Sequence, residues 1–240
     1  MLPSTWNLPS TVRRRFGRKL GRQRAMFADG HLLLILHRLP GPHSIAREGV
    51  LFWRLPDGKW KTTAHGGGLG LLNDHFESYE TVILEQEACY EAARVSSDYF
   101  SILERLVPIE RAAHNLLRAL QTAREAVDEQ QIISLRDRAA EISRSAEILL
   151  VDARNGLEFA MARQSEIQAA AGVEMARASH RLNLIAAVFF PLTALGSMLG
   201  MNMATGLEAL PIWVFWAIFV SGLLLGGFLG SSLSGGQQHS

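Results

Sequence analysis

The sequence predicts a mainly α membrane protein: two C-terminal transmembrane helices, a long stalk helix continuous with the first of them, and a small α+β domain in front. Three observations carry that prediction. Residues 182–240 contain no Lys or Arg and a single acid, Glu208, although the whole chain holds 24 basic and 23 acidic side chains. An uncharged apolar last quarter behind a charged remainder is the pattern of a soluble part joined to membrane spans. From Ile132 to Met201 one proline, Pro191, interrupts a composition rich in Ala, Leu, Glu, Arg, Ser and Ile. That stretch reads as one helix of about 70 residues, on the order of 105 Å long at 1.5 Å per residue. Strand signals, finally, are confined to residues 28–63.

Residues 1–28 hold Arg13, Arg14, Arg15, Arg18, Lys19, Arg22 and Arg24 and no acid. No apolar run follows them, so they are not a secretory signal. They read as a disordered basic tail lying against anionic lipid, the alternative being a mitochondrial transit peptide. No aromatic platform or recognition helix accompanies the charge, so no nucleic-acid partner is expected.

Residues 29–131 form the small α+β domain. An apolar run over 31–39 ends at Pro40, and strands at 50–55 and 59–63 flank the turn Pro56-Asp57-Gly58. Gly66, Gly67, Gly68 and Gly70 then mark a linker; without a following Gly-Lys-Ser/Thr they are no phosphate loop. Two or three strands cannot bury a core alone and need helices or neighbouring subunits to cover them. Asp74 with Glu77 resembles a capping box opening a helix to about residue 106. Pro108 suits the first turn of a second helix ending near 128–131. The stalk follows over 132–181, with Asn155-Gly156 and Gly172 as its weak points. A helix that long outruns the domain, so it packs against copies of itself.

Residues 182–199 are apolar and uncharged, about 27 Å as a helix and enough to span a bilayer. The first span is placed at 182–201, an outer loop at 202–210, a second span at 211–229 and a tail at 230–240. Arg177 and Arg181 precede the first span and the loop has no basic residue, so the positive-inside rule puts both termini in the cytoplasm. Trp213 and Trp216 suit the outer interfacial belt. Gly222, Gly226 and Gly230 give the second span a close-packing face. At 100° per residue, Met175, Ser179, Leu182, Ala186, Phe190, Thr193, Ser197 and Gly200 share one face of the first. Hydroxyls on such a face can bond back to helix carbonyls. Joined to a self-packing stalk, the face reads as the lining of a pore, with Leu182 and Phe190 as hydrophobic constrictions.

Phe190-Pro191-Leu192-Thr193, followed by Gly200-Met201-Asn202 at the end of the first span, resembles the CorA family of divalent metal ion (Mg2+, Co2+, Ni2+) transporters. Leu135-Arg136-Asp137 resembles that family's motif near the cytoplasmic end of the stalk, and the likeness covers about residues 130–230. The resemblance implies a homopentamer in which Gly200, Met201 and Asn202 form the selective mouth of the pore. A small divalent ion holds its water tightly. A ring of Asn202 amide oxygens would accept hydrogen bonds from those waters without trapping the ion. Gly200 would permit a tight chain path, and Met201 would pack behind it.

The chain also departs from the family. Its cytoplasmic domain is reduced, and Ser165 stands where the family's regulatory metal sites lead one to expect a stalk acid, although Glu166 is adjacent. Ser179 lies one step below Leu182 where an aliphatic or Met constriction is normal, and no basic cluster follows the second span. Glu208 in the outer loop either attracts cations or is an ordinary solvated residue.

Cys89, the single cysteine, excludes an internal disulfide framework and any multi-cysteine metal site. The eight histidines include no helical i, i+4 pair, so no direct metal ligand is assigned. Without a nucleophile–base pair, phosphate loop or clustered carboxylates, an enzyme is not expected. The expectation is a divalent-cation channel of the cell (inner) membrane, multi-pass, with no cofactor beyond the transported ion. Its partners are further copies of the chain, membrane lipid and divalent cations. The mitochondrial inner membrane is the alternative location. A zinc transporter of the ZntB type and a non-conducting membrane scaffold are the alternative functions.

Overall fold

The computed structural model describes residues 2–3, 5–17, 21–41, 48–64, 67–200 and 211–235, with the backbone alone at 195, 198–200, 215, 218, 223, 225–226 and 229–235. It is mostly helical with a small antiparallel sheet, and divides into two compact units, Met1–Arg163 and Gln164–Ser240.

The first unit is built on four strands, β1 (Arg24–Ala28), β2 (His31–His37), β3 (Gly49–Arg54) and β4 (Trp60–Thr62), paired in that order as a meander. Asp29 and Gly30 join β1 to β2 with φ of 49° and 75°. Positive φ at both central residues is the tight hairpin turn whose twist matches the strands it links. Five consecutive residues of β2, Leu32, Leu33, Leu34, Ile35 and Leu36, are fully buried. The sheet is therefore covered on both faces, which is why the run does not alternate. Leu32, Leu34, Leu36, Val50 and Phe52 face the helices; Leu33, Ile35, Leu51 and Trp53 meet Trp6, Leu8 and Val12 on the other side.

That second cover corrects the disordered tail expected over 1–28. The segment holds a short helix α1 (Ser10–Arg15) and strand β1, and Arg13 Nη2 donates to the Trp6 carbonyl at 2.5 Å. Arg13, Arg14, Arg15 and Arg22 are exposed while Trp6, Leu8 and Val12 are buried. Burial of each such side chain contributes about 1.5–3 kcal/mol, ample to hold a strap whose charge alone suggests a tail.

Helices α2 (Gly68–Ala92) and α3 (Ser96–Ala126) cover the inner face. The helix expected to run from Asp74 to about 106 is thus broken at residues 93–95. Asp98 Oδ2 accepts from the backbone N–H groups of Arg94 (2.9 Å) and Val95 (3.1 Å), capping a new start. Pro108, expected in a first turn, instead lies inside α3. Its neighbours Leu106 and Ile109 are fully buried, and their packing carries the helix through the missing hydrogen bond.

Helix α4 (Gln130–Gly200) is 71 residues long and passes through Asn155-Gly156, Gly172 and Pro191 without a break. Its first turn is pinned to the sheet. Buried Arg54 pairs with Glu129, and Trp60 Nε1 donates to Gln131 Oε1 at 3.0 Å. Further on, Arg138 Nη2 donates to Glu80 Oε2 at 2.6 Å and its guanidinium lies 5.4 Å from the centre of the Phe76 ring. The Arg138 hydrogen bonds hold the Glu80 carboxyl below its usual range. At Gly156 a Cβ would collide with the Tyr99 ring, which lies against the helix there.

In the second unit, α4 continues to Gly200 and α5 spans Ile212–Gly235. Among the described residues no helix is long and apolar enough to cross a membrane. The spans expected at 182–201 and 211–229 depend in part on positions 195, 198–201, 215, 218, 223, 225–226 and 229, whose side chains lie outside the description.

Gly156→Ala should cost about 1–3 kcal/mol of stability by overpacking, read as a lowered denaturation midpoint. The cost should shrink when Tyr99→Leu removes the ring. A second expectation concerns His75, buried among Phe52, Phe76 and Tyr79. Burial, helped by the nearby charges of Arg38 and His37, lowers its pKa from 6.5 to about 4. The folded state therefore binds this proton less readily than the unfolded chain. The resulting stability is present above pH 6.5 and falls as the pH drops towards 4, by about 3 kcal/mol in all. His75→Leu should remove about one proton from the pH slope of unfolding in that window.

Candidate ion-conduction site

Six residues expected to line a pore, Ser179, Leu182, Ala186, Phe190, Thr193 and Ser197, all lie on α4 in the second unit. Steps of three and four residues put them in one stripe, about 27 Å from first to last at 1.5 Å per residue. Ala186 is half-buried and the other five are exposed, Phe190 at 75% and Leu182 at 66%. A stripe of this kind on one helix encloses nothing by itself. Several copies must turn it inward before a path closes around an ion.

The stripe is chemically mild. Thr193 Oγ1 donates to the Phe189 carbonyl at 2.7 Å, so its proton is used within the helix. The hydroxyl oxygen keeps acceptor capacity for water or a hydrated cation. The bond also supports the turn beside Pro191, which supplies no N–H. On α5, Ser221 Oγ bonds back to the Ala217 carbonyl in the same manner, at 2.8 Å. Ionisable side chains are absent from α4 between Leu182 and Gly200, so no fixed charge sits on the stripe.

Gly200 is the last residue of α4. Met201, Asn202 and Glu208 lie outside the described residues, and with them the expected mouth and outer loop. Among the described residues no group of His, Cys, Asp or Glu is arranged to hold a metal ion. Cys89 is exposed on α2. The motif Leu135-Arg136-Asp137 lies on the domain part of α4, where Leu135 is buried in the core and Arg136 Nη1 pairs with Asp137 Oδ1 at 2.9 Å. In this unit the motif contributes packing and local charge balance.

Sequence reasoning did not find the two ion pairs that seat α4, Arg54 with Glu129 and Arg138 with Glu80. Their partners stand 75 and 58 positions apart, and no local spacing announces them.

No curated protein matches the chain. Among solved structures it is similar to the cytoplasmic domain of ZntB from Vibrio parahaemolyticus, with a TM-score of 0.54 and 13% identity over 67% of this chain and 80% of that one. It is also similar to the full-length CmaX protein, with a TM-score of 0.52 and 14% identity over 96% of this chain and 83% of the other. The CorA magnesium transporter of Methanocaldococcus jannaschii aligns over 92% of this chain and 82% of its own, at a TM-score of 0.43 and 12% identity, below the level that identifies a fold. The family model described as CorA-like Mg2+ transporter protein matches residues 69–232, more than half of the chain. The chain therefore belongs to the CorA-like Mg2+ transporter protein family, a family of transporters and not of enzymes.

Proposed function

We propose that the chain is a divalent-cation channel of the cell membrane, carrying Mg2+ first and Co2+ or Ni2+ as companions. The observation that carries the reading is a juxtaposition in a member of a transporter family. The exposed stripe reaches Ser197 on α4, the helix ends at Gly200, and Met201-Asn202 follows directly in the chain. In this reading residues 182–201 and 211–229 cross the bilayer as a hairpin, both termini are cytoplasmic, and copies of the chain surround the path. The absence of Lys and Arg from residues 182–240 supports the hairpin, because a charged side chain at mid-bilayer costs about 2.5–3.5 kcal/mol on insertion scales. The number of copies, five, comes from the family resemblance.

The chemistry follows from the ion. Mg2+ demands near-octahedral coordination and gives up its water reluctantly, so a site that strips it is slow to release it. A ring of neutral Asn202 amides accepts hydrogen bonds from the hydration shell and leaves the shell intact. Below the mouth, Ser197 and Thr193 offer hydroxyl oxygens to the same waters. Phe190 and Leu182 offer none, and so form narrow apolar rings where an unwetted path blocks the ion. Selection at the mouth and gating at the rings are thereby separate functions of one helix face.

Uptake of divalent cations into proteoliposomes carrying the full chain tests the reading. An amide–water hydrogen bond contributes about 0.5–1.5 kcal/mol, and a ring of them lost together lowers selective binding at least about tenfold. Asn202→Ala should accordingly lower selective Mg2+ uptake at least about tenfold. Zn2+ transported ahead of Mg2+ would replace the ion while keeping the pore. No flux of any divalent cation from an assembled oligomer would overturn the channel and leave a non-conducting scaffold.

A further inference from the structure

In the first unit α2 and α4 run side by side in the same direction. Glu80 meets Arg138, Ile83 lies with Ile142, and further along Tyr90 packs against the cluster of Leu106, Leu149 and Leu150. Between the two helices is a groove of about 260 Å3, floored by Ile83 and Ile142 and rimmed by Leu84, Glu87 and Glu141. Leu84 is 64% exposed. Glu80 is neutralised by Arg138, whereas Glu87 and Glu141 have no ion-pair partner among the described residues. The groove is thus an apolar trough with an uncompensated acidic rim. Its carboxylates do not form a metal-binding group among the described residues.

On the adjoining face of α4, Arg144, Ile148 and Val151 form a stripe at i, i+4 and i+7. Ile148 and Val151 are 48% and 47% exposed, and Arg144 has no ion-pair partner among the described residues. One surface is apolar with spare negative charge; the other is apolar with a spare positive charge.

We propose that the stripe of Arg144, Ile148 and Val151 on one copy of the chain docks into the α2–α4 groove of the next. The inference rests on the oligomer of the reading above and names the surface through which its soluble parts meet. Arg144 enters between Glu87 and Glu141 of the second copy, and Ile148 and Val151 cover Leu84 and the isoleucine floor, as a helix lies in a groove. The two surfaces differ, so the contact is head-to-tail and repeats from copy to copy. They also lie at nearly the same level of α4: residues 141–145 and 144–151 are centred about 7 Å apart at 1.5 Å per residue. A rotation about an axis along α4, with little rise, therefore brings stripe to groove and closes a ring; a large offset would have built a filament.

The test is cross-linking of the full chain in detergent, in a Cys89→Ser background. Leu84→Cys combined with Ile148→Cys should, on mild oxidation, give a ladder of covalent multimers on a denaturing gel, and either substitution alone should give none. Adding Arg144→Glu should lower the yield at least about fivefold, the scale of a lost charge pair of roughly 1 kcal/mol, and Glu141→Arg on top should restore it. A double-cysteine protein that runs as an oligomer under native conditions but yields no ladder would overturn the contact and leave the channel standing. An unchanged yield with Arg144→Glu would likewise overturn it. A native chain that is monomeric throughout would overturn the contact and the oligomeric channel together.

Discussion

A helix of 71 residues presents more surface than one small domain can cover, and the rest of the molecule depends on how that surface is met. The domain covers the beginning. Ile132, Leu135, Ala139, Ile142 and Ala146 join the main core. From 161 to 179 every side chain is exposed, including Ile167, Val173 and Met175. Isolated helices in water draw little stability from propensity alone, and most of what holds a helix in a protein comes from packing of one face. Further copies of the same helix are the economical supply of that packing. The seating devices of the first unit have the same logic: Arg54 with Glu129 and Arg138 with Glu80 fix where α4 starts and how it lies on α2.

Charge is distributed to match. Among the described residues the ion pairs lie in the domain, and the stretch of α4 from Leu182 to Gly200 carries no ionisable side chain, only hydroxyls, an amide, small residues and apolar groups. A fixed charge inside a narrow path either repels the ion or holds it too long, and binding must be weak enough for release. Neutral oxygen acceptors fit a strongly hydrated divalent cation better than carboxylates, which would compete with its water.

The features legible in the sequence are those with a long or simple period. The α4 helix shows itself through 70 residues with one proline, and the β3–β4 hairpin through Pro56-Asp57-Gly58. The strap over residues 5–17 was hidden because seven basic residues masked Trp6, Leu8 and Val12, whose burial depends on a sheet formed later in the chain. Asp29-Gly30 is a local hairpin signal, and both residues take the positive φ that such a turn requires. The break at 93–95 was carried by Ser96-Ser97-Asp98, a start signal set inside a run of helix formers. Gly156 reads as a weak point in one dimension; in three it is the place where the Tyr99 ring needs room. Of the candidate site, the stripe on α4 follows from spacing alone, whereas its closure around an ion depends on copies that no single sequence displays.

The central claim is that one face of α4, from Ser179 to Ser197, borders a water-filled cation path. Its most direct test replaces residues 179–197 one at a time by cysteine in a Cys89→Ser background and measures divalent flux before and after a charged, water-soluble thiol reagent. Block that peaks at 179, 182, 186, 190, 193 and 197, and fades between them with a period of about 3.6 residues, is the predicted result. Flux that is equally insensitive, or equally sensitive, at every position would contradict the account, because the stripe would then have no side facing the ion.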